Sequence, residues 1–304
     1  MNDKILKNPD LVSFVTLAVI TIAAVTYGLL TWREVPETGS YPVAIDAKIP
    51  YRIEKPDEII SLPGRLTEIS GLSYWGNDQL LTVQDEDGKV FVYDSKAKKV
   101  VEEFDFGKDR DYEGITHIDS TIYVLERDGD MHKIYYERGV SKYESVKIES
   151  IFKYDNDTEG ICFDPVTKKV LIVPKEEQLG SARDQPHIKA VYSMDINTIE
   201  VDEEPLVSIN QFQLGEIIYG ERKRYELKPS GVAVHPETGE IYVVSSVGKL
   251  LVILSRDNTI VQVERLDENI FPQPEGITFN EKGDLFISSE GKGRKPIIAR
   301  FNSK

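Results

Sequence analysis

The chain has 304 residues, 40% of them hydrophobic, and a formal net charge of −15 at pH 7. This acidity argues against a nucleic-acid partner, because phosphate recognition needs clustered Lys and Arg, and it suits cationic ligands or divalent metals. The single cysteine, Cys162, excludes an intramolecular disulfide, and the four histidines are too scattered for a zinc site.

The first predicted element is a transmembrane helix over residues 11–32. This stretch carries no charged residue, and at ~1.5 Å per residue it is long enough to cross a bilayer. Tyr27 and Trp32 lie toward its C-terminal end, where interfacial aromatic residues are expected. Lysines in residues 1–10 favour a cytoplasmic N-terminus. We therefore expect a single-pass anchor in the cell (inner) membrane, with the body of the protein on the periplasmic or extracytoplasmic side.

Residues 33–50 follow as a predicted linker, because they contain prolines and small residues. Residues 51–304 form the predicted main domain, in which short β-rich runs alternate with turns rich in Asp, Asn, Pro and Gly. No stretch after residue 33 shows helical periodicity, so this domain is predicted to be all-β.

A Glu-Gly-Ile motif recurs through this domain. With its close variants, it begins at five positions: Glu68 (EISGL), Glu113 (EGI), Glu159 (EGI), Ser230 (SGV) and Glu275 (EGI). The spacing is about 45 residues, which is typical of a four-stranded propeller blade, apart from one interval of about 71. Five motifs predict a five-bladed β-propeller, and the long interval leaves six blades as the alternative. Residues 51–63 read as a strand that would pair with the last blade and close the ring.

The glutamates of this motif are the candidate functional residues. In a propeller the first strand of each blade lies nearest the axis, so a residue at its start forms a ring around one channel mouth. Converging carboxylates repel one another, and a bound calcium or magnesium ion would relieve that repulsion. The predicted mouth residues are Glu68, Glu113, Glu159, Ser230 and Glu275, and the candidate metal ligands are Glu68, Glu113, Glu159, Glu275, Asp111 and Asp157.

A structural role is the alternative interpretation of the same motif. The carboxylate could accept a backbone N–H in a turn, with the glycine taking a φ angle that other residues avoid. Ser230 stands where other motifs have glutamate, so a complete ring of carboxylates is not required.

These features together resemble the SdiA-regulated family, membrane-tethered bacterial β-propellers that are distantly similar to NHL-repeat proteins. The resemblance covers about residues 50–304. It rests on EISGL, DYEGIT, DTEGICFDP, PSGVAVHPETGEIYVVSS and QPEGITFNEKGDLFISSEG, with a hydrophobic anchor in front of them. It implies a five-bladed propeller and a divalent-cation site, for calcium, on Glu68, Glu113, Glu159 and Glu275. Ser230 departs from the pattern, and the family supplies no established activity.

Two functions remain open. The first is a non-catalytic, calcium-binding propeller that binds a small ligand or a partner protein at its face, which the lack of a GxSxG signature and of clustered histidines favours. The second is a metal-dependent hydrolase, a phytase-like phosphoesterase or a lactonase, in which the cation polarises the substrate or activates water. Fold analogy alone does not decide between them, and the sequence singles out no catalytic residue.

Overall fold

The structure, a computed structural model, describes residue 13 and residues 16–22, 38–44 and 49–304. The chain divides into two compact units, Met1–Pro36 and Glu37–Lys304. In the first unit, residue 13 and residues 16–22 are helical, and the remainder of the predicted N-terminus (1–10) and transmembrane segment (11–32) lies outside the described residues. In the part of the chain that is described, no helix is both long enough and apolar enough to cross a bilayer.

The second unit consists almost entirely of antiparallel β-strands. In chain order they are β1 (Gly39–Pro42), β2 (Glu58–Ser61), β3 (Ile69–Gly76), β4 (Gln79–Gln84), β5 (Lys89–Asp94), β6 (Lys99–Asp105), β7 (Tyr112–Ile118), β8 (Thr121–Glu126), β9 (Met131–Tyr135), β10 (Val146–Ile148), β11 (Thr158–Asp164), β12 (Lys169–Pro174), β13 (Ile188–Asp195), β14 (Glu200–Val201), β15 (Val207–Asn210), β16 (Lys228–Val234), β17 (Ile241–Val247), β18 (Leu250–Leu254), β19 (Ile260–Arg265), β20 (Gln273–Phe279), β21 (Leu285–Glu290) and β22 (Ile297–Phe301). One α-helix, α1 (Gln211–Tyr219), and three 3-10 turns, Gly64–Leu66, Tyr154–Asn156 and Gly180–Ala182, complete the described elements.

These strands form five sheets, which are the five blades of a propeller. Blade 1 is β3–β6, blade 2 is β7–β10, blade 3 is β11–β15, blade 4 is β16–β19 with β1, and blade 5 is β20–β22 with β2. The first strands of the blades contact one another in a closed cycle, β3–β7–β11–β16–β20–β3. The predicted five-bladed, all-β propeller is therefore confirmed.

The ring closes as the sequence predicts. Strand β2 lies within the segment 51–63 and pairs antiparallel with β22 of blade 5, with Ile59 opposite Ala299. The last blade thus combines three strands from the C-terminal end of the chain with one from the N-terminal side of the domain. This pairing covers an edge that would otherwise expose unpaired N–H and C=O groups.

Five apolar clusters hold the propeller together, one between each pair of neighbouring blades. The middle strands are covered on both faces, so successive side chains of one strand pack against the two neighbouring blades in turn. Leu80 of β4 packs toward blade 5, whereas Leu81 packs toward blade 2. This burial on two faces explains continuous apolar runs such as LLVIL in β18, in which every residue is buried.

The long interval between the third and fourth motifs holds extra elements of blade 3, and no sixth sheet forms among the described residues. Strand β15 pairs with β13, and α1 follows it directly. The helix contradicts the prediction that no helix occurs after residue 33. It has only 9 residues, too few for a clear period, and its ends are fixed locally. The Asn210 side chain accepts a hydrogen bond from Phe212 N, and Gly220 ends the helix in the left-handed conformation.

Part of the predicted linker (33–50) is also ordered into the propeller. Strand β1 pairs antiparallel with β19 and gives blade 4 a fifth strand. The Ser40 hydroxyl donates a 2.6 Å hydrogen bond to the Glu264 carboxylate, which fixes this pairing through a side chain. Residues 33–37 and 45–48 of the same segment lie outside the described residues.

Candidate functional site at the acidic mouth

The recurring motif coincides with a β-bulge at the start of each innermost strand. In blade 2, Tyr112 pairs with Glu126 and Gly114 pairs with Leu125, so Glu113 has no partner across the ladder. A register shift includes the residue before the motif glycine in all five blades: it falls on Glu113, Glu159 and Ser230 alone in blades 2, 3 and 4, and it spans Ser70–Gly71 and Glu275–Gly276 in blades 1 and 5. A bulge leaves its extra residue unpaired and re-aims its side chain, so five equivalent positions form a ring at one end of the inner strands.

The motif glycines allow neighbouring inner strands to approach each other. A Cβ atom added to Gly71 would lie 2.5 Å from the backbone nitrogen of Ile115, and one added to Gly231 would lie 2.4 Å from the carbonyl oxygen of Glu275. The five ring glycines, Gly71, Gly114, Gly160, Gly231 and Gly276, are absent from the described glycines with positive φ. The interpretation of the glycine as a residue with an unusual φ angle is therefore wrong, and close backbone approach is the reason for its recurrence.

The ring contains two serines and three glutamates. The Ser70 hydroxyl donates a 2.7 Å hydrogen bond to the carbonyl of Tyr112, and the Ser230 hydroxyl donates one of 2.7 Å to the carbonyl of Pro274. Each serine therefore ties its blade to the next blade in the ring. The glutamates Glu113, Glu159 and Glu275 carry the charge of the mouth.

Glu68 does not lie in this ring. It is exposed and precedes β3, and the bulge of blade 1 begins two residues later, at Ser70. The sequence analysis placed the motif of blade 1 on the glutamate, whereas the Ser-Gly pair matches the Ser-Gly pair of blade 4. The ring residue that the sequence analysis missed is therefore Ser70.

Burial raises the pKa of all three ring glutamates, and the Glu159 carboxylate adds to the effect on the other two. Glu159 and Glu275 are only 3% and 5% exposed. Burial raises the pKa of Glu159 to about 7, even though the Lys175 ammonium favours its charged form. Burial and the Glu159 carboxylate raise the pKa of Glu275 well above its usual range, and burial together with the Glu159 carboxylate does the same to Glu113. A charge on Glu159 therefore makes a charge on Glu113 or Glu275 less favourable.

Lys175 supplies a positive charge within the mouth. It follows β12, and its ammonium donates a hydrogen bond to the carboxylate of Glu159. The same nitrogen lies 3.9 Å from Asp157 Oδ2. Burial opposes the charged form, but the Glu159 carboxylate outweighs it and raises the pKa of Lys175 above its ordinary value. The sequence analysis did not select Lys175 for the ring, because a contact with a residue on the neighbouring strand leaves no local signal.

The two predicted aspartates lie beside the ring and share an arginine. Arg127 Nε is 2.5 Å from Asp157 Oδ1, and an Arg127 terminal nitrogen donates a 3.3 Å hydrogen bond to Asp111 Oδ2. The guanidinium carbon also lies 4.6 Å from the ring centre of Tyr154. Asp111 and Asp157 are thus already paired with a cation, although the Asp111 carboxylate still contributes to the raised pKa of Glu113.

A second acidic group adjoins the ring on the side of blades 1 and 5. Burial, and then the carboxylate of Glu68, raises the pKa of Asp85 to about 6. Burial, and then the carboxylates of Asp85 and Glu68, raises the pKa of Glu290 to about 7. Glu290 in turn contributes to the raised pKa of Glu275. One Asp85 carboxylate oxygen is buried and makes no hydrogen bond in the structure as described.

The donor chemistry of the ring fits a hard cation, because carboxylate oxygens are the ligands that calcium prefers. The side chains do not form a finished cage. Within residues 13, 16–22, 38–44 and 49–304, no group of three or more His, Cys, Asp or Glu is arranged to hold a metal ion. Instead, the ammonium of Lys175 forms an ion pair with the carboxylate of the ring residue Glu159.

Fold and site together define a five-bladed propeller with an acidic channel mouth. The family model described as SdiA-regulated matches residues 51–292, and the chain belongs to that family. The comparison with curated proteins found no match to this chain.

Solved structures share the fold at low sequence identity. The PQQ-bound aldose sugar dehydrogenase of Streptomyces coelicolor is 12% identical, with a TM-score of 0.55 over 85% of this chain and 99% of that one. The glutaminyl cyclase of Myxococcus xanthus is 11% identical, with a TM-score of 0.54 over 82% of this chain and 95% of that one. Such likeness establishes the propeller fold and nothing about the reaction.

Proposed function

We propose that this protein is a membrane-anchored, extracytoplasmic propeller that binds a small ligand or partner protein at its acidic mouth, with calcium held by the ring glutamates. The observation that carries the proposal is that three of the five bulge residues at one channel mouth are glutamates, and that the Glu159 carboxylate raises the pKa of the other two. Glu113, Glu159 and Glu275 bring three carboxyl groups together, and Lys175 bonds to one of them. Burial, and for Glu113 and Glu275 also the Glu159 carboxylate, raises their pKa values, and a bound cation would favour the charged forms.

Glu113, Glu159 and Glu275 are the residues that would hold the ion, with Asp111 and Asp157 beside them. Lys175 would have to release Glu159 for that carboxylate to become a ligand. Calcium, when bound, would neutralise the mouth and offer coordination positions to an anionic group of the ligand. The two ring serines would keep the neighbouring blades in register, since both bond to backbone carbonyls.

Membrane anchoring is proposed from the sequence of residues 11–32 and from the described part of that helix. The side chains of Leu17, Val19, Ile20 and Ile22 are each more than half exposed. Exposed apolar side chains on an uncharged helical stretch favour a lipid environment. The lysines of residues 1–10 favour placing the propeller outside the cytoplasm, at the cell (inner) membrane.

A metal-dependent hydrolase, a phosphoesterase of the phytase-like kind or a lactonase, is the second candidate. One observation favours it: a carboxyl group with a pKa of about 7, as in Glu159, is suited to proton transfer at neutral pH. Ligand binding alone does not require that property.

Thermal unfolding and a hydrolysis screen separate these functions. The full chain is heated with increasing calcium, and phosphoester and lactone substrates are tested with calcium and with chelator. A rise in melting temperature with calcium, without turnover, supports the binding propeller. Calcium-dependent turnover that Glu159→Gln abolishes would establish the hydrolase instead. A melting temperature that does not respond to calcium would contradict the calcium site that both functions share.

A further inference from the structure

The central channel is closed at its waist, so its two mouths are separate compartments. The residues that follow the ring glycines, Leu72, Ile115, Ile161, Val232 and Ile277, converge there. The space that they enclose with the glycines, and that Glu113, Glu159 and Ser230 also line, is about 10 Å³, at the lower limit for a single water molecule. A molecule larger than water at the acidic mouth therefore cannot pass through this space to the other end of the channel.

The mouth at the far end of the inner strands holds a cavity of about 200 Å³. Its lining includes four aromatic side chains and two prolines: Tyr74, His117, Phe163, Phe279, Pro165 and Pro236. Four of the waist residues, Leu72, Ile115, Ile161 and Ile277, also line this cavity, and no Asp, Glu, Lys or Arg is among the described residues that line it. The cavity thus contrasts with the acidic mouth in its lack of charged side chains.

A few polar groups face this apolar space. Two threonines already bond across blades, since Thr116 Oγ1 accepts from Phe163 N and Thr278 Oγ1 accepts from Tyr74 N, both at 3.0 Å. The Ser73 hydroxyl also lines the cavity, and it makes no hydrogen bond to the part of the chain that the structure describes. Apolar walls with a small number of polar groups are the usual composition of small-molecule sites.

We propose that this second mouth binds a neutral molecule of one or two rings that carries a single hydroxyl or carbonyl group. The volume sets the size, because a dry apolar cavity of ~150 Å³ accommodates benzene. The described lining has no Lys or Arg, and the ring nitrogens of His117 already bond to backbone carbonyl oxygens, so the cavity disfavours an anionic ligand, since burying an unpaired carboxylate is costly. The free Ser73 hydroxyl is the group that would meet the ligand's polar atom, and the aromatic side chains of the lining would cover its faces.

The chain offers a reporter for this cavity, because Cys162 is its only cysteine and lines the cavity wall. The test uses the full chain with 2-naphthol as the probe and 2-naphthoate as its charged counterpart. Alkylation of Cys162 by N-ethylmaleimide is followed by intact mass at about pH 8, where 2-naphthol stays neutral, over a time course long enough for a thiol whose pKa is raised by burial. At ten times its Kd, 2-naphthol should slow alkylation about tenfold, because only about one molecule in eleven remains free.

Two variants locate the binding. Cys162→Phe fills the cavity and should weaken 2-naphthol binding at least about tenfold, since the ring would displace the ligand's apolar contacts. Tyr135→Ser removes a side chain that is 63% exposed on an outer strand of blade 2, and it should leave binding unchanged. Melting temperatures confirm that both variants are folded.

Protection of Cys162 in the unmodified protein does not depend on any variant. The proposal is overturned if 2-naphthol gives no saturable protection of Cys162. It is also overturned if 2-naphthoate protects equally well, or if folded Cys162→Phe binds 2-naphthol as the unmodified protein does.

Discussion

Replacing Gly71 by alanine tests the explanation of the recurring motif. The new Cβ would lie 2.5 Å from Ile115 N and 2.8 Å from both the carbonyl carbon and the Cα of Gly114, well inside ordinary contact distances of 3.4–4 Å. All three atoms belong to the backbone of the neighbouring inner strand, which cannot rotate away as a side chain could. We therefore expect the upper end of the overpacking range, about 3 kcal/mol. Alanine also lowers the conformational entropy of the unfolded chain, which stabilises the folded state by about 0.4–1 kcal/mol and offsets that part of the loss.

The net loss of about 2 kcal/mol corresponds to a fall in melting temperature of roughly 4–8 °C for a domain of this size. Thermal and urea unfolding of the full chain measure it. Gly64→Ala is the matched control, because no atom lies within 4 Å of the added Cβ and Gly64 has no positive φ. That variant should lie within about 0.5 kcal/mol of the unmodified protein, or be slightly more stable. Equal stabilities of the two variants would refute the close-approach explanation.

Three further predictions concern charge pairs. Arg256 binds Asp164 through two 2.7 Å hydrogen bonds and the Asp164 carboxylate is fully buried, so Arg256→Leu should cost about 3–5 kcal/mol in urea unfolding at pH 7. Burial raises the pKa of Asp164, but the hydrogen bonds from Arg256 outweigh burial and lower it. The ion pair therefore stabilises the folded protein above the unfolded-state pKa of about 3.9. This stabilisation is lost as pH falls through the lower folded-state pKa. The stability gap between the variant and the unmodified protein should therefore narrow at pH 3.5, and a constant gap would contradict this. Lys175→Met should strengthen calcium binding about tenfold or more in a calorimetric titration, since a charge-assisted bond worth roughly 1.5–3 kcal/mol no longer has to break. Unchanged affinity would show that the Lys175–Glu159 pair does not compete with the ion.

The blade count could be predicted from sequence because it depends on local features that repeat. Hairpin turns and short apolar strands recur with the motif, and the pairing of β2 with β22 follows from a strand that has no other partner near it in the chain. The helix α1 and strand β15 were harder to predict. They are short, and β15 is ordered by pairing with β13, which no local pattern encodes.

The ring itself was predicted only in part. Glu113, Glu159 and Glu275 occupy it, but Glu68 was chosen where Ser70 lies, because the sequence shows composition and not the position of the bulge. Lys175 follows β12 and contacts Glu159 on the neighbouring strand β11. This contact can be predicted only once the pairing of those two strands is known. The glycine was assigned to an unusual φ angle because the distance between blades is invisible in one sequence.

Isothermal titration of the full chain with calcium tests the central claim most directly. The account predicts saturable binding that is lost or greatly weakened in Glu159→Gln and Glu275→Gln, because each change removes a charged donor from the ring. Glu102→Gln, on an outer strand of blade 1 away from the mouth, should leave the titration unchanged. Absence of binding at millimolar calcium, or binding that persists in both ring variants, would contradict the proposal that the bulge glutamates form a calcium site.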